Sequence, residues 1–180
     1  MTTRDYFLDV LRSKLGDYHK GSPEVLKLWQ SVIEPGKYTQ AQLEQLADEK
    51  DWCGVLQLAC LREAKLTERY WKLGSGFVLA LLGAGAATKT PKPGDLAIIQ
   101  RWPGATKDAW HHFTVESWSS PTDWWSIDGN SPGCERKHHD RVLPTTTFYS
   151  IDELLPAMPE AGFVRGQVFS VKGIQDKGSD

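Results

Sequence analysis

The sequence predicts a single α+β domain in which helices come first and a mostly antiparallel sheet follows. Three observations carry this. Up to about residue 64 the apolar residues recur at helical spacing. Beyond Pro91 they fall into short runs separated by turns, and the links between runs are short. A length of 180 residues fits one domain at roughly 150 residues per domain, and such a chain buries enough surface to fold without disulfides or metal. Within the single domain, 1–180, residues 1–49 read as a helical segment, 50–145 carry the chemical motifs, and 146–180 supply a last strand and a tail.

Residues 4–15 place Tyr6, Phe7, Val10, Leu11 and Leu15 on one helical stripe. Ser22-Pro23 opens a second helix bearing Val25, Leu26, Leu28, Trp29, Val32 and Ile33, which Glu34-Pro35-Gly36 ends. Thr39 with Gln42 three positions on is a capping box for a helix over 40–49. With Asp51 as N-cap, Trp52 to Ala64 is apolar on most of its circumference, the mark of a helix buried at the domain centre. A further short helix is expected over 77–86, against the opposition of Gly76, Gly83 and Gly85. Pro91-Lys92-Pro93-Gly94-Asp95 is a turn and Leu96 to Ile99 a short buried strand. His112 to Ser117 and Trp124 to Asp128 are strands split by a Ser-Ser-Pro turn, followed by strands over 135–142 and 166–172. Pro156 and Pro159 make 151–163 irregular, with one helical turn after Ser150. The sheet thus has about five or six strands.

Composition excludes several classes of function. Lys plus Arg is 21 and Asp plus Glu is 23, a net charge of -2, so the basic surplus of a nucleic-acid binder is missing. The basic run Arg136 to His139 is bracketed by Glu135 and Asp140 and reads as a solvated strand edge. The longest apolar stretch, Phe77 to Ala87, is too short to span a membrane, and the charged N-terminal residues show no signal-peptide pattern. A soluble protein made in the cytoplasm, with no membrane partner, is the expectation. Three cysteines make no disulfide framework; Cys53 and Cys60, on one helix, stand about 10 Å apart by the helical rise. No Cys spacing matches a zinc template, and adjacent His residues on a strand point to opposite faces, so one His at most of each pair His111-His112 and His138-His139 serves a given site.

One arrangement carries chemistry. A cysteine in the first turn of a buried helix sits where unpaired N–H groups and the helix dipole favour thiolate, the nucleophilic form. Cys53 is so placed. His112 opens one strand and Asp128 and Asn130 close the next, so antiparallel pairing brings a base and its orienting group together, the third member being Asp128 or Asn130. Trp102, Trp110, Trp118, Trp124 and Trp125 cluster near these strands, and a subset, together with Trp52, offers flat surface for a cleft.

Asp51-Trp52-Cys53-Gly54-Val55 with Leu61-Arg62-Glu63-Ala64, then Pro91 to Ile99, His112-Phe113-Thr114-Val115-Glu116, and Ile127-Asp128-Gly129-Asn130 resemble, in order, the motifs of the CHAP and NlpC/P60 cysteine peptidases. The resemblance covers about residues 50–145; Gly54, Phe113-Thr114 and Asp128 depart from the usual residues. It implies a papain-like fold and amide hydrolysis in peptidoglycan stem peptides, with Cys53 as nucleophile, His112 as base, Asp128 as acidic orienter and Asn130 as the polar residue beside it. His111 is the alternative base, and the motif alignment favours His112. Trp52, Trp110 and Trp125 are the expected substrate-binding residues. The implied chemistry needs no cofactor and no metal. A peptidoglycan fragment is the expected substrate and a cognate immunity protein a further partner, for an injected effector or phage lysin acting in the periplasm or cell wall. A protein or lipid substrate on the same triad, or a binding module with an inert cysteine, are the rival readings.

Overall fold

The computed structural model describes residues 2–67, 86–100, 110–131 and 133–157. Helix α1, Thr3–Ser13, starts at a capping box between Thr2 and Asp5. It buries Phe7, Leu8, Val10 and Leu11. Leu8 turns the buried stripe one residue away from Tyr6, which is exposed, and Leu15 lies past the end of the helix and is exposed as well. Helix α2, Pro23–Val32, is capped by the Ser22 hydroxyl accepting from the Val25 N–H, with Pro23 in the first turn where no donor is lost. Helix α3, Gln40–Glu49, begins at the expected Thr39–Gln42 box. Helix α4, Cys53–Glu63, is buried on nearly every side as its all-round apolar sequence requires, packed between α1, α2 and the sheet.

The sheet has six strands: β1 (Ala87–Thr88), β2 (Leu96–Gln100), β3 (Trp110–Ser120), β4 (Asp123–Gly129), β5 (Cys134–His139) and β6 (Thr146–Tyr149). Their spatial order is β1-β6-β2-β3-β4-β5, with every neighbouring pair antiparallel. An α+β fold with helices preceding an antiparallel sheet is therefore what the chain adopts. Strands β1 and β6 escape the sequence patterns: β1 is two residues long and exists through its pairing with β6, itself inserted beside β2. After Ser150 the chain forms helix α5, Ile151–Ala157, longer than the single turn expected and running through Pro156. The helix expected over 77–86 falls outside the described residues except for Ala86, and the strand expected over 166–172 falls wholly outside them.

Alternation along the strands divides the core in two. Leu96, Ile98, Ile127, Cys134 and Tyr149 face the helices and join the main cluster. Ala97, Phe113, Val115, Trp124 and Phe148 form a second cluster on the other face, with Trp118 against it. Two buried carboxylates tie the layers together. Asp95 is 1% exposed and accepts from Arg4 of α1 at 2.7 Å, from the Lys92 N–H at 2.8 Å and from the Ile151 N–H of α5 at 3.2 Å. The turn that presents it needs Gly94, whose φ of +90° is left-handed backbone that other residues rarely adopt. Glu116 of β3 is held between Arg12 of α1 (2.9 Å) and Arg136 of β5 (2.6 Å). The basic run on β5 is thus partly consumed by internal partners.

Where β4 meets α4 the two backbones come close at Gly129. A Cβ there would stand 2.8 Å from Leu56 Cδ2 and 2.9 Å from Trp52 Cζ3. Gly129→Ala should therefore overpack this seam and lower stability by about 1–3 kcal/mol, visible as a lower thermal midpoint. An unchanged midpoint would mean that Trp52 and Leu56 yield freely.

Candidate active site

Helix α4 delivers Cys53 to the sheet as its first helical residue, with Trp52 at the cap position. The cap expected from Asp51 is not made. Asp51 lies one residue too early and binds Lys20 at 2.8 Å and the Asn130 side-chain amide at 2.9 Å, so no side chain caps α4. One turn further, Gln57 donates to the Phe113 carbonyl and to the Thr114 hydroxyl, the latter at 3.3 Å. Residues four apart share a helix face, so Gln57 fixes the face that carries Cys53 against the segment of β3 beside His112. Sequence reasoning missed Gln57. The signal was there: it is the one polar residue in an otherwise apolar run from Trp52 to Leu61.

The Cys53 sulfur lies 3.3 Å from Nδ1 of His112, within the reach expected of a nucleophile and its base. His111 acts on the sulfur as well, its nearby ring helping to lower the thiol. Neighbouring strand residues ordinarily face opposite ways, and the hydrogen bonds follow that pattern: His112 takes the sulfur and His111 takes Asp128. The β3–β4 ladder reaches no further toward the start of β3 than Phe113 opposite Asp128, so His111 is paired on one side alone, with Ile99 of β2. Burial pushes the Cys53 thiol up, but the charge of His112, hydrogen bonds from His111 and His112 and the charge of His111 outweigh it. The thiol is lowered to about 5 from an ordinary 9.0.

Asp128 does not meet His112. Its Oδ2 is 3.0 Å from Nε2 of His111. The reason is the pleat: directly paired residues share a face, so Asp128 shares the face of Phe113 and of His111 two residues before it, whereas His112 and Thr114 face α4. The Asn130 amide donates to Asp51 at 2.9 Å rather than to either ring. Nε2 of His112 is buried with no hydrogen-bond partner among the described residues. Burial pushes His111 down, but the hydrogen bond it donates to Asp128, then the interaction with and charge of Cys53, raise it to about 9. Asp128, where burial is more than offset by His111, Ser126 and Lys137, is held below the usual carboxylate range. Behind it the Ser126 hydroxyl donates to Oδ1, and His139 Nε2 lies 2.8 Å from the same hydroxyl, with its ring stacked on Trp124 at 3.7 Å. Ser126 and His139 were not singled out from sequence; the spacing of Ser126 and Asp128, two apart on one strand face, is the signal that finds the first.

The chain matches no family model, no curated protein and no solved structure. Its site is read from its own atoms.

Of the three tryptophans expected to bind substrate, Trp52 is placed otherwise. Trp52 is fully buried beside Tyr18 and under Gly129, so it packs the core and lines no cleft. Trp110 packs partly buried against the main cluster next to His111. Trp125 is three residues from Asp128, about 10 Å along the strand, under the Arg136 guanidinium. Cys134 is the first residue of β5, buried, with its backbone paired to Gly16. Burial raises its thiol to about 12 and raises that of Cys60 further. Among the described residues no group of His, Cys, Asp and Glu is placed to hold a metal ion, and no helix is long and apolar enough to cross a membrane.

These thiols separate sharply by pH. Iodoacetamide should label Cys53 in the native protein, with a rate that stays level below the ordinary thiol range and falls only as the pH drops through about 5, where the thiolate takes up its proton. Cys60 and Cys134 should stay unlabelled. Peptide mapping checks both, and a Cys53 rate that already falls below pH 9 contradicts the ion pair.

Proposed function

We propose that this protein is a cysteine hydrolase that cleaves an amide bond in peptidoglycan stem peptides through a thioester intermediate. The observation that carries the hydrolase reading is a sulfur at the start of a buried helix, 3.3 Å from an imidazole and with its thiol lowered to about 5. A thiolate held as an ion pair at neutral pH is a ready nucleophile. The peptidoglycan reading is supported by the ordered motifs around Trp52-Cys53, Pro91 to Asp95, His112 and Ile127 to Asn130. An α+β layout with the cysteine helix laid on the histidine strand suits the papain-like fold those motifs imply.

In this mechanism the Cys53 thiolate attacks the amide carbonyl carbon, forming a C–S bond and a tetrahedral oxyanion. The Cys53 N–H, in a first turn that no side chain caps, is placed to bind that oxygen. An imidazolium gives its proton to the leaving nitrogen, the C–N bond breaks, and the amine departs. Water, giving a proton back to the imidazole, then attacks the thioester, and the acid product leaves as the thiolate is restored. Acting on the cell wall, the enzyme is delivered as an injected effector or as a phage lysin; in the first case a cognate immunity protein covers the site.

Incubating purified muropeptides with the wild type and with Cys53→Ala, and identifying products by mass spectrometry, tests this. The expected result is a new amine and a new acid from the wild type alone. Muropeptides left intact by a protein whose Cys53 is readily alkylated would overturn the substrate while leaving the thiolate in place.

A further inference from the structure

Two imidazoles act on one sulfur, and among the described residues only His111 has a carboxylate behind it. His111 binds Asp128 through Nε2 at 3.0 Å, and its nearby ring helps to lower the Cys53 thiol. His112 bonds Cys53 through Nδ1 at 3.3 Å, is 3% exposed, and its buried Nε2 has no partner among the described residues. We infer that the two histidines divide the work: His111, backed by Asp128, moves the protons of the reaction, and His112 holds the sulfur in place. This rests on the hydrolase reading above.

The physical reason lies in what happens to charge when the sulfur is acylated. The thiolate is then consumed and any imidazolium beside it loses its counter-ion. Once the sulfur is acylated, His112 has no carboxylate partner among the described residues, since its buried Nε2 meets no hydrogen-bond partner there. A proton stored on His111 still faces Asp128, which is itself held by the Ser126 hydroxyl and, beyond it, by His139. Loss of the Cys53 thiolate also removes one of the interactions that raise the His111 pKa, so acylation frees this ring to accept a proton from water. The other charged group on this carboxylate is Lys137, at 3.7 Å from Oδ2. Ser126 and His139 are positioning residues for Asp128.

p-Nitrophenyl acetate separates the two roles. The thiolate attacks the acetyl carbon, the C–S bond forms, and p-nitrophenolate leaves with the electron pair of the broken C–O bond, needing no proton. Release of acetic acid then requires a base to take a proton from water as the new C–O bond forms and the C–S bond breaks. In His111→Asn the burst of p-nitrophenolate should persist while release of the acetyl group from Cys53 slows about a hundredfold or more, the ordinary loss for a positioned base. Mass spectrometry should find the acetyl-enzyme accumulating. Asp128→Asn should slow the same step and move the midpoint of its pH profile downward, because the carboxylate no longer supports the His111 cation. His112→Asn should slow the burst itself, with the acetyl-enzyme that does form failing to accumulate. A measurement without variants guards against misfolding: in the acetylated wild type, NMR should show the His111 ring titrating lower than in the free protein, with its Nε2 still bonded to Asp128. Accumulation of acetyl-enzyme in His112→Asn but not in His111→Asn would overturn the assignment, as would an acetylated wild type in which the His111 titration has not moved. A wild type without any burst overturns the hydrolase reading and this inference together.

Discussion

Cys53→Ala should reduce muropeptide hydrolysis by at least about ten-thousandfold while leaving the protein folded. Without the sulfur no acyl-enzyme forms, and the two imidazoles alone offer only base assistance to water at a carbonyl that nothing has activated. Cys53→Ser should not restore the rate, since a serine hydroxyl holds its proton too tightly to form the resting ion pair with these rings. The same substitution has a second, independent readout. His111 is raised to about 9 partly by the hydrogen bond and charge of Cys53. Removing the sulfur withdraws an anion that favours the imidazolium, so the His111 titration should move to lower pH while Asp128 keeps part of the elevation. Turnover persisting in folded Cys53→Ala would place the chemistry elsewhere; an unmoved His111 titration would mean that Asp128 alone sets it.

Asp95→Ala should cost about 3 kcal/mol, near the lower end of the range for breaking a buried ion pair. The carboxylate serves three elements at once: Arg4 of α1, the Lys92 N–H in its own turn and the Ile151 N–H that begins α5. Its loss strands the two backbone donors, each expensive to leave unmet where water cannot reach. Arg4 is not stranded, because Asp152 at 2.7 Å and the Pro93 carbonyl at 2.9 Å still hold it, which keeps the cost from the upper end. Asp95→Asn keeps an acceptor oxygen and should cost less. Urea denaturation measures both, and a loss below about 1 kcal/mol for the alanine variant would show that the turn holds α1 and α5 by other means. The aspartate of the Pro-Lys-Pro-Gly-Asp segment is thus explained by its structural bonds, with no catalytic role required.

Much of the architecture was legible along the chain because it is decided by near neighbours. Thr39 and Gln42 close a capping box within one turn, Ser22-Pro23 begins a helix through its own hydroxyl and ring, and the all-round apolar run after Trp52 permits only a buried helix. Strands β2 to β5 were visible for the same reason, each as a run bounded by turn residues. Strands β1 and β6 were not, since a two-residue strand and its short partner are defined by pairing with each other and with β2. Nor was the burial of Trp52: its ring is large enough for a cleft wall, and only the approach of Gly129 and Tyr18 makes it core.

At the site the division is sharper. By itself the sequence determined that Cys53 begins a buried helix, that His111-His112 and Asp128 lie on successive strands, and hence that a thiol, an imidazole and a carboxylate would converge. The motif order gave Asp128 to His112, and the tertiary structure gives it to His111 instead. The choice depends on the register of β3 against β4, where Phe113 stands opposite Asp128. Register is a property of two strands and the layers that cover them, and a shift of one residue exchanges the faces. Adjacent histidines are equivalent in the chain; only the pleat, fixed by pairing and by what each face buries, gives one of them Asp128 and leaves the other with the sulfur alone.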